Sequence, residues 1–201
     1  MASYDPTTAL IVVDVQNDFA DPAGSLAVKG GELVVERCTD EVRRAAAAGA
    51  LVVYTQDWHP ESTPHFAKDG GTWPVHCVAG TWGAALHPGL AVLGPSVRKG
   101  ANGEDGYSGF TMRDPATGET TPTPLEGLLR GHGIEKVVVV GLATDYCVSA
   151  TAVDAARLGF ETEVLQDAIA AVDLQPGDGD RARAAMAAAG CVLGYCVGPL
   201  P

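Results

Sequence analysis

The sequence has few basic residues and no long apolar run, and each absence argues against a broad class of protein. Lys and Arg number 13 among 201 residues, against 25 Asp and Glu, so the formal net charge is −12. Nucleic-acid binding normally requires a basic surface, so we expect no nucleic-acid partner. No apolar run approaches the roughly 18 residues of a membrane-spanning helix, so we expect no membrane partner.

Cysteine is present, but without the patterns of a disulfide or zinc framework. The five cysteines are odd in number, scattered along the chain and free of any Cys-x-x-Cys pair. Neither a disulfide framework nor a zinc ribbon is therefore expected. The N-terminus also lacks the charged-then-apolar pattern of a secretory signal. A reducing, cytoplasmic location fits both absences.

The composition that remains is that of a globular protein. Hydrophobic residues make up 46% of the chain, and its length allows one substantial core. No internal repeat or linker divides the sequence. We therefore predict a single domain over residues 1–201.

The most informative stretch is residues 137–151, which predicts a buried strand followed directly by a helix. Four consecutive valines at residues 137–140 are typical of a strand buried on both faces. Thr144 or Asp145 is a suitable N-cap for a helix that continues over residues 148–158. Cys147 then lies in the first helical turn, where the helix N-terminus lowers a thiol pKa. The alternative is a buried, inert cysteine.

Charged side chains end two other predicted strands. Asp14 lies at the carboxyl end of the apolar strand 9–15, and Lys99 ends the short strand 95–99. A carboxylate among Ile and Val is costly to bury unpaired, so Asp14 is either functional, an N-cap or part of a structural salt bridge. Lys99 is either functional or simply solvated.

Histidines cluster after the next strand, residues 51–55. Asp57 and His59 point to the same side of an extended chain, and His65 and His76 follow within twenty residues. One carboxylate and up to three imidazoles are suitable ligands for a transition metal. The alternative is a set of histidines scattered over a surface loop. The length of this loop favours a function.

The remaining pattern predicts the fold class. Further helices are expected at residues 31–48, from the Thr123 cap to about residue 131, and at residues 181–189 after an Asp178 or Asp180 cap. Further strands are expected at residues 161–166 and from residue 192. A surface loop or hairpin is expected at residues 112–121. This alternation predicts a three-layer α/β/α sandwich with a parallel sheet. Asp14, Asp57, Lys99 and Cys147 can then meet in one cleft if their strands are neighbours.

Six segments follow one another in the order of a known set of motifs. They are residues 14–19, 57–59, 73–77, 99–100, 107–110 and 141–148. Together they resemble the nicotinamidase/pyrazinamidase family of isochorismatase-like cysteine hydrolases, over nearly the whole chain. The Asp, Lys and Cys segments mark the superfamily, whereas the histidine-containing segments point to the nicotinamidase family.

The resemblance implies a fold and a set of catalytic residues. It implies a six-stranded parallel sheet in the order 3-2-1-4-5-6 and a cis peptide between Leu142 and Ala143. Asp14, Lys99 and Cys147 correspond to a catalytic triad in which a thiolate attacks a carboxamide. The backbone N–H groups of Ala143 and Cys147 correspond to the oxyanion hole.

The resemblance also implies a metal and a substrate pocket. Asp57, His59 and His76 correspond to ligands of one divalent transition metal, with His65 as a fourth ligand in some members. Zinc is favoured, and iron or manganese also suits these ligands. The residues that correspond to the substrate pocket are Phe19, Trp73, Tyr107, Leu142 and Tyr146.

The implied activity is hydrolysis of nicotinamide to nicotinate and ammonia through a Cys147 thioester, as in NAD salvage, with pyrazinamide as a second substrate. The alternatives are another amidohydrolase or isochorismatase-type hydrolase of the superfamily, and a non-enzymatic binding protein on the same fold. The expected partner is thus a small molecule, and a homo-oligomer is compatible with the sequence.

Overall fold

A computed structural model describes residues 2–196, and its centre is a six-stranded parallel sheet. The strands of the sheet are β1 (Thr8–Val13), β2 (Leu51–Asp57), β3 (Ser96–Lys99), β6 (Lys136–Leu142), β7 (Glu161–Ala170) and β8 (Val192–Gly194). Their order is β3-β2-β1-β6-β7-β8, and every neighbouring pair is parallel. β4 (Thr111–Arg113) and β5 (Thr120–Pro122) form a separate antiparallel hairpin. The predicted 3-2-1-4-5-6 topology is confirmed, because the hairpin strands only shift the numbering.

Helices cover both faces of the sheet. They are α1 (Asn17–Ala20), α2 (Gly31–Ala47), α3 (Leu125–Gly131), α4 (Ser149–Arg157) and α5 (Asp178–Ala188), with a π-helical turn at Thr144–Val148 and a 3₁₀ turn at Ala67–Asp69. Alternate residues of β1 face opposite ways. Leu10 and Val12 belong to the core layer that contains α2, and Ile11 belongs to the layer that contains α3, α4 and α5. The predicted three-layer sandwich is confirmed.

The sheet changes direction next to β1, which places a cleft at that point. The chain leaves β1 through α2 and returns as β2 on one side, whereas β6 lies on the other side of β1. Parallel sheets bind ligands at such a switch point, outside the carboxyl ends of the strands. Asp14 follows β1 and Cys147 follows β6, so both residues lie beside this cleft.

Several predicted helix caps were wrong. The helix after β6 has Ala143 as its N-cap, and the Asp145 carboxylate accepts hydrogen bonds from a different part of the chain. By contrast, the Thr123 hydroxyl accepts the Leu125 N–H at 3.2 Å, as its predicted capping role requires, although the N-cap position itself is Pro124. Side-chain capping competes with tertiary partners, which local sequence does not show.

Other boundaries also moved. Gly177 is the N-cap of α5, and Asp178 and Asp180 lie within its first turn. β1 ends at Val13 rather than at residue 15, because Asp14 adopts a left-handed φ of 49° that leaves the strand. The single-domain prediction includes residue 1 and residues 197–201, which lie outside the described residues. Among residues 2–196, no helix has both the length and the apolar character required to cross a membrane.

Candidate active site

The structure brings Asp14, Lys99 and Cys147 together at the carboxyl edge of the sheet. The Lys99 Nζ lies 2.9 Å from an Asp14 carboxylate oxygen and 3.7 Å from the Cys147 sulfur. All three side chains are buried. Three residues from the ends of three different strands therefore share one small volume, as the sequence predicts.

Lys99 has a second carboxylate partner, Asp57, which the sequence analysis placed in the same cleft but assigned only to a metal. Asp57 accepts a hydrogen bond from the Lys99 ammonium through one oxygen, and its other oxygen faces two histidines at 3.9 Å. Asp14 receives a further hydrogen bond from the Thr55 hydroxyl at 2.6 Å. One ammonium thus lies between two carboxylates and a thiol.

Burial and this single cation set the charges of the two carboxylates. Burial alone would raise the pKa of Asp57, but Lys99, His59 and the neighbouring His76 lower that pKa to about 2. Burial raises the pKa of Asp14, and Lys99 only partly offsets the effect. Asp14 is therefore the carboxylate that more readily accepts a proton.

The surroundings of Cys147 favour the thiol over the thiolate. Burial raises its pKa well above the ordinary range, Lys99 opposes this effect, and Asp14 and Asp57 add to it. The prediction that the helix N-terminus lowers this pKa was wrong, because it neglected desolvation and two nearby anions. Formation of the thiolate requires a base, and Asp14 is adjacent: ligand atoms of Asp14, Asp57 and Cys147 all lie within 4.8 Å of one another.

His59, His65 and His76 form a second cluster beside the first. One ring nitrogen from each of the three lies within 4.8 Å of the other two, and the ring centroids are 4.9 to 5.4 Å apart. Phe66 packs against His59 and His76 with centroids 5.4 Å away. The histidines are not scattered over a surface loop.

The histidine cluster has the properties of a metal site. Neither ring nitrogen of the buried His59 has a hydrogen-bond partner among residues 2–196. The His76 Nδ1 lies 2.8 Å from the Pro74 carbonyl oxygen, which leaves Nε2 toward the cluster, as is usual for metal-binding histidines. Burial lowers the pKa of His59 to about 4 and also lowers the pKa of His65, so these rings are neutral and able to bind a cation.

Gln16 and Asp18 tie the histidine loop to the sheet, and sequence reasoning assigned neither a role. The Gln16 amide donates to the carbonyl of Asp57, at the end of β2, at 2.7 Å and to the carbonyl of Ala84, in the loop, at 2.9 Å, and it accepts the Asp57 N–H at 2.8 Å. The Asp18 carboxylate accepts the Cys77 N–H at 2.7 Å, next to His76. Both residues lie in the segment after Asp14, and that position was the only signal available.

The glycine after Lys99 makes room for the histidine cluster. A Cβ at Gly100 would lie 2.7 Å from the His59 ring, and the backbone there has a φ of 81°. Only glycine accommodates both features. This requirement explains why glycine follows Lys99.

One pocket joins the two clusters. Cys147, Asp57, His65 and His76 line it together with all five residues expected to contact substrate, namely Phe19, Trp73, Tyr107, Leu142 and Tyr146. Leu26, Val28 and Val172 complete an apolar wall that the sequence did not indicate. The pocket therefore presents a nucleophile, imidazole nitrogens and a largely apolar lining to the same small molecule.

Three aromatic side chains form one side of this pocket. Tyr146 lies 4.9 Å from Trp73 and 5.2 Å from Tyr107 between ring centroids, and the Trp73 indole N–H donates to the Tyr107 hydroxyl at 3.1 Å. Each ring is held by another, which suits a wall for a flat aromatic ligand.

The turn between β6 and Cys147 has the expected backbone. The peptide between Leu142 and Ala143 is cis, as the resemblance implies. The Ala143 and Cys147 N–H groups both belong to this turn, and both residues line the pocket.

Comparison with known proteins agrees with this geometry. The isochorismatase domain matches residues 8–193. A nicotinamidase/pyrazinamidase of Mycobacterium tuberculosis is 44% identical over 169 residues, which cover 82% of this chain and 87% of that protein. A nicotinamidase of Escherichia coli is 37% identical over 206 residues, which cover 94% of each.

Structural comparison gives the same result. The crystal structure of a pyrazinamidase of Pyrococcus horikoshii in complex with zinc aligns with a TM-score of 0.84 at 38% identity, covering 95% of this chain and 100% of that one. Both the domain match and these likenesses extend over most of the chain. The chain therefore belongs to the isochorismatase family, on the branch that contains the nicotinamidases.

Proposed function

We propose that the protein hydrolyses nicotinamide to nicotinate and ammonia, and pyrazinamide by the same route. The observation that carries the proposal is the shared pocket, in which Cys147 and the imidazoles of His65 and His76 face one aromatic-lined space. In this arrangement Cys147 attacks the carboxamide, while the imidazole cluster lies on the side of the pyridine nitrogen. The named relatives act on this class of substrate.

Asp14 is the proposed proton carrier of the reaction. It takes the proton of the Cys147 thiol as the sulfur attacks the carboxamide carbon, which forms a C–S bond and a tetrahedral oxyanion. Asp14 then gives that proton to the departing nitrogen, so ammonia leaves and a thioester remains. Water then attacks the thioester with Asp14 again as base. The C–S bond breaks, Asp14 returns the proton to the Cys147 sulfur, and the carboxylic acid leaves.

Two sets of groups stabilise the charges in these steps. The backbone N–H groups of Ala143 and Cys147 are the proposed donors to the oxyanion. Lys99 stays protonated, because burial lowers its pKa less than Asp14 and Asp57 raise it, and its ammonium lies 3.7 Å from the sulfur. It therefore stabilises the thiolate while Asp14 holds the proton.

Asp57, His59, His65 and His76 are the proposed holders of a divalent metal. The ring nitrogens of His59, which have no hydrogen-bond partner within residues 2–196, and the oriented ring of His76 fit such an ion. Nitrogen and carboxylate ligands favour zinc, and they also accept iron or manganese. When bound, the ion supplies a Lewis-acid contact for the pyridine nitrogen that orients the ring.

The test is ammonia release from nicotinamide by the purified protein, with and without a chelator. We expect release that depends on nicotinamide and that falls when metal is removed. The same assay with short aliphatic amides and with a ureido substrate separates a nicotinamidase from the other amidohydrolases of the family. Turnover of those amides without turnover of nicotinamide would contradict the proposal.

A further inference from the structure

Asp145 connects the nucleophile turn to a distant loop. One oxygen of its carboxylate accepts the Val172 N–H at 2.9 Å, and the other accepts the Asp173 N–H at 2.8 Å. These partners lie in the connection between β7 and α5, 27 and 28 positions further along the chain. Asp145 itself stands two residues before Cys147.

The loop that Asp145 holds forms part of the pocket. Val172 lines the same space as Cys147 and Leu142. The next residue, Asp173, has a left-handed φ of 52°, and its carboxylate accepts the Gly179 N–H at 2.8 Å. The loop is therefore tied to the nucleophile turn at one end and to α5 at the other.

We propose that Asp145 is a positioning residue for substrate binding: it sets the distance between the Val172 wall of the pocket and the Cys147 sulfur. The inference rests on the proposed function and deepens it, because the wall is the surface against which the substrate ring packs. Asp145 itself need not touch substrate or accept a proton.

The physical argument is that two charge-assisted hydrogen bonds hold an otherwise irregular loop. Bonds from backbone N–H groups to a carboxylate are stronger than neutral ones. Loss of the two hydrogen bonds to Asp145 allows Val172 to move away from the substrate ring. Binding of the ground state and of the transition state is then weakened equally. Such uniform loss raises KM and leaves kcat nearly unchanged. For the contact area of one small side chain, we expect a KM increase of about tenfold.

The experiment compares Asp145→Asn and Asp145→Ala with wild type, using kcat, KM and the alkylation rate of Cys147 by iodoacetamide. Asp114→Asn is the matched control, since the Asp114 carboxylate also accepts two backbone N–H groups, from Ala116 and Thr117, in the turn between β4 and β5. We expect the KM to rise most in Asp145→Ala, less in Asp145→Asn and not in the control. Alkylation rates should stay within about twofold of wild type throughout, as expected for loss of uniform binding.

A double-mutant cycle with Val172→Ala shows whether Asp145 acts through the wall. If it does, Asp145→Asn raises KM much less in the Val172→Ala background than alone. Asp145→Asn keeps one acceptor oxygen, so it remains informative if Asp145→Ala does not fold, and thermal melts identify that case.

Two results would overturn the inference. One is an unchanged KM in Asp145→Asn, and the other is a fall in kcat together with a changed pH dependence of alkylation, which would mean that Asp145 acts on the thiol. Both presuppose an active wild-type protein. A wild-type protein without nicotinamide hydrolysis would instead refute the proposed function.

Discussion

Lys99 balances most of the charge at the catalytic end of the sheet. Its ammonium contacts Asp14 and Asp57 and lies 3.7 Å from the Cys147 sulfur, and all four side chains are buried. A buried anion without a partner is costly, and one cation cannot fully compensate three ionisable neighbours. Asp57 keeps its charge because the histidines add to the effect of Lys99. Asp14 and Cys147 are therefore the two groups between which the thiol proton can move.

Replacing the proposed nucleophile tests this arrangement directly. Cys147→Ala should abolish nicotinamide hydrolysis, leaving at most about a thousandth of wild-type kcat/KM, because no thioester can form. Cys191→Ala is the matched control, since both cysteines are buried to the same 6% exposure and Cys191 lies outside the pocket lining. Ammonia assays on both variants decide the matter. Retention of several per cent of activity in Cys147→Ala would exclude the covalent route.

Asp14→Asn should remove activity without lowering stability at pH 7. Because burial raises the Asp14 pKa in the folded state, the protonated form is favoured there. That contribution to stability is complete below the unfolded pKa of about 3.9 and is lost as pH rises through the higher folded value. Asparagine does not ionise, so the variant does not lose this stability as pH rises. The free energy of unfolding of the variant should therefore increase relative to that of wild type between pH 4 and pH 7.

Denaturant melts of chelated protein at several pH values measure this difference. Asp57 is common to both proteins, so its titration largely cancels in the comparison. A loss of about 3–5 kcal/mol in Asp14→Asn would instead identify Asp14 as half of a structural ion pair.

At the scale of elements, the end of β6 determines where Cys147 stands. Gly141 has a φ of 115°, and its backbone passes so close to β1 that a Cβ would overlap the Val13 carbonyl. The register between β6 and β7 also shifts between Val139 and Gly141. The strand can therefore turn into the π-helical segment that carries the nucleophile only with glycine at this position.

Gly141→Ala should consequently be severely destabilising, by about 3 kcal/mol or more, since it adds both a strained φ and an overlap with backbone. Gly118→Ala is the control, because Gly118 also has a positive φ, 74°, but a Cβ added there would meet no atom within 4 Å. That variant should lose only about 1 kcal/mol. If denaturant melts showed the same loss of unfolding free energy in Gly141→Ala and Gly118→Ala, packing against β1 would be unimportant.

At the scale of the whole molecule, the loop between β2 and β3 is held by polar side chains rather than by regular structure. Gln16 donates to the Ala84 carbonyl of this loop at 2.9 Å, and Asp18 accepts the Cys77 N–H. Three histidines within the loop converge on one point. A metal that binds only the folded arrangement stabilises the whole protein by mass action.

Metal removal should therefore lower the melting temperature. At a free metal concentration about 100 times Kd, metal binding raises the free energy of unfolding by about 2.7 kcal/mol. This corresponds to a shift in melting temperature of roughly 5–10 °C for a domain of this size. His59→Ala should lower bound metal and melt like chelated wild type, whereas the control His132→Ala, in the exposed C-cap of α3, should behave like wild type. Elemental analysis without bound metal, together with melting indifferent to chelator, would remove the metal site.

Much of the fold follows from local sequence. The valines of residues 137–140 predict β6, the four-residue spacing of Val34, Cys38 and Val42 predicts α2, and both elements are present. Burial of apolar residues at the period of the element is a local property, so it can be read from one segment at a time. The predicted cap at Asp145 was wrong, because a cap is only one of several hydrogen bonds that such a side chain can make, and this carboxylate binds the backbone of Val172 and Asp173 instead.

The sequence by itself determined the chemical groups available and the strand ends at which they stand, since these depend only on residue type and order. Only the tertiary structure decided that Asp57 shares Lys99 with Asp14, that Asp145 holds Val172, and that burial raises the pKa of the Cys147 thiol. These features depend on distances between residues tens of positions apart and on the loss of water around them. Neither quantity is encoded in a local pattern, because the Coulomb energy and the desolvation cost arise only when the chain has folded.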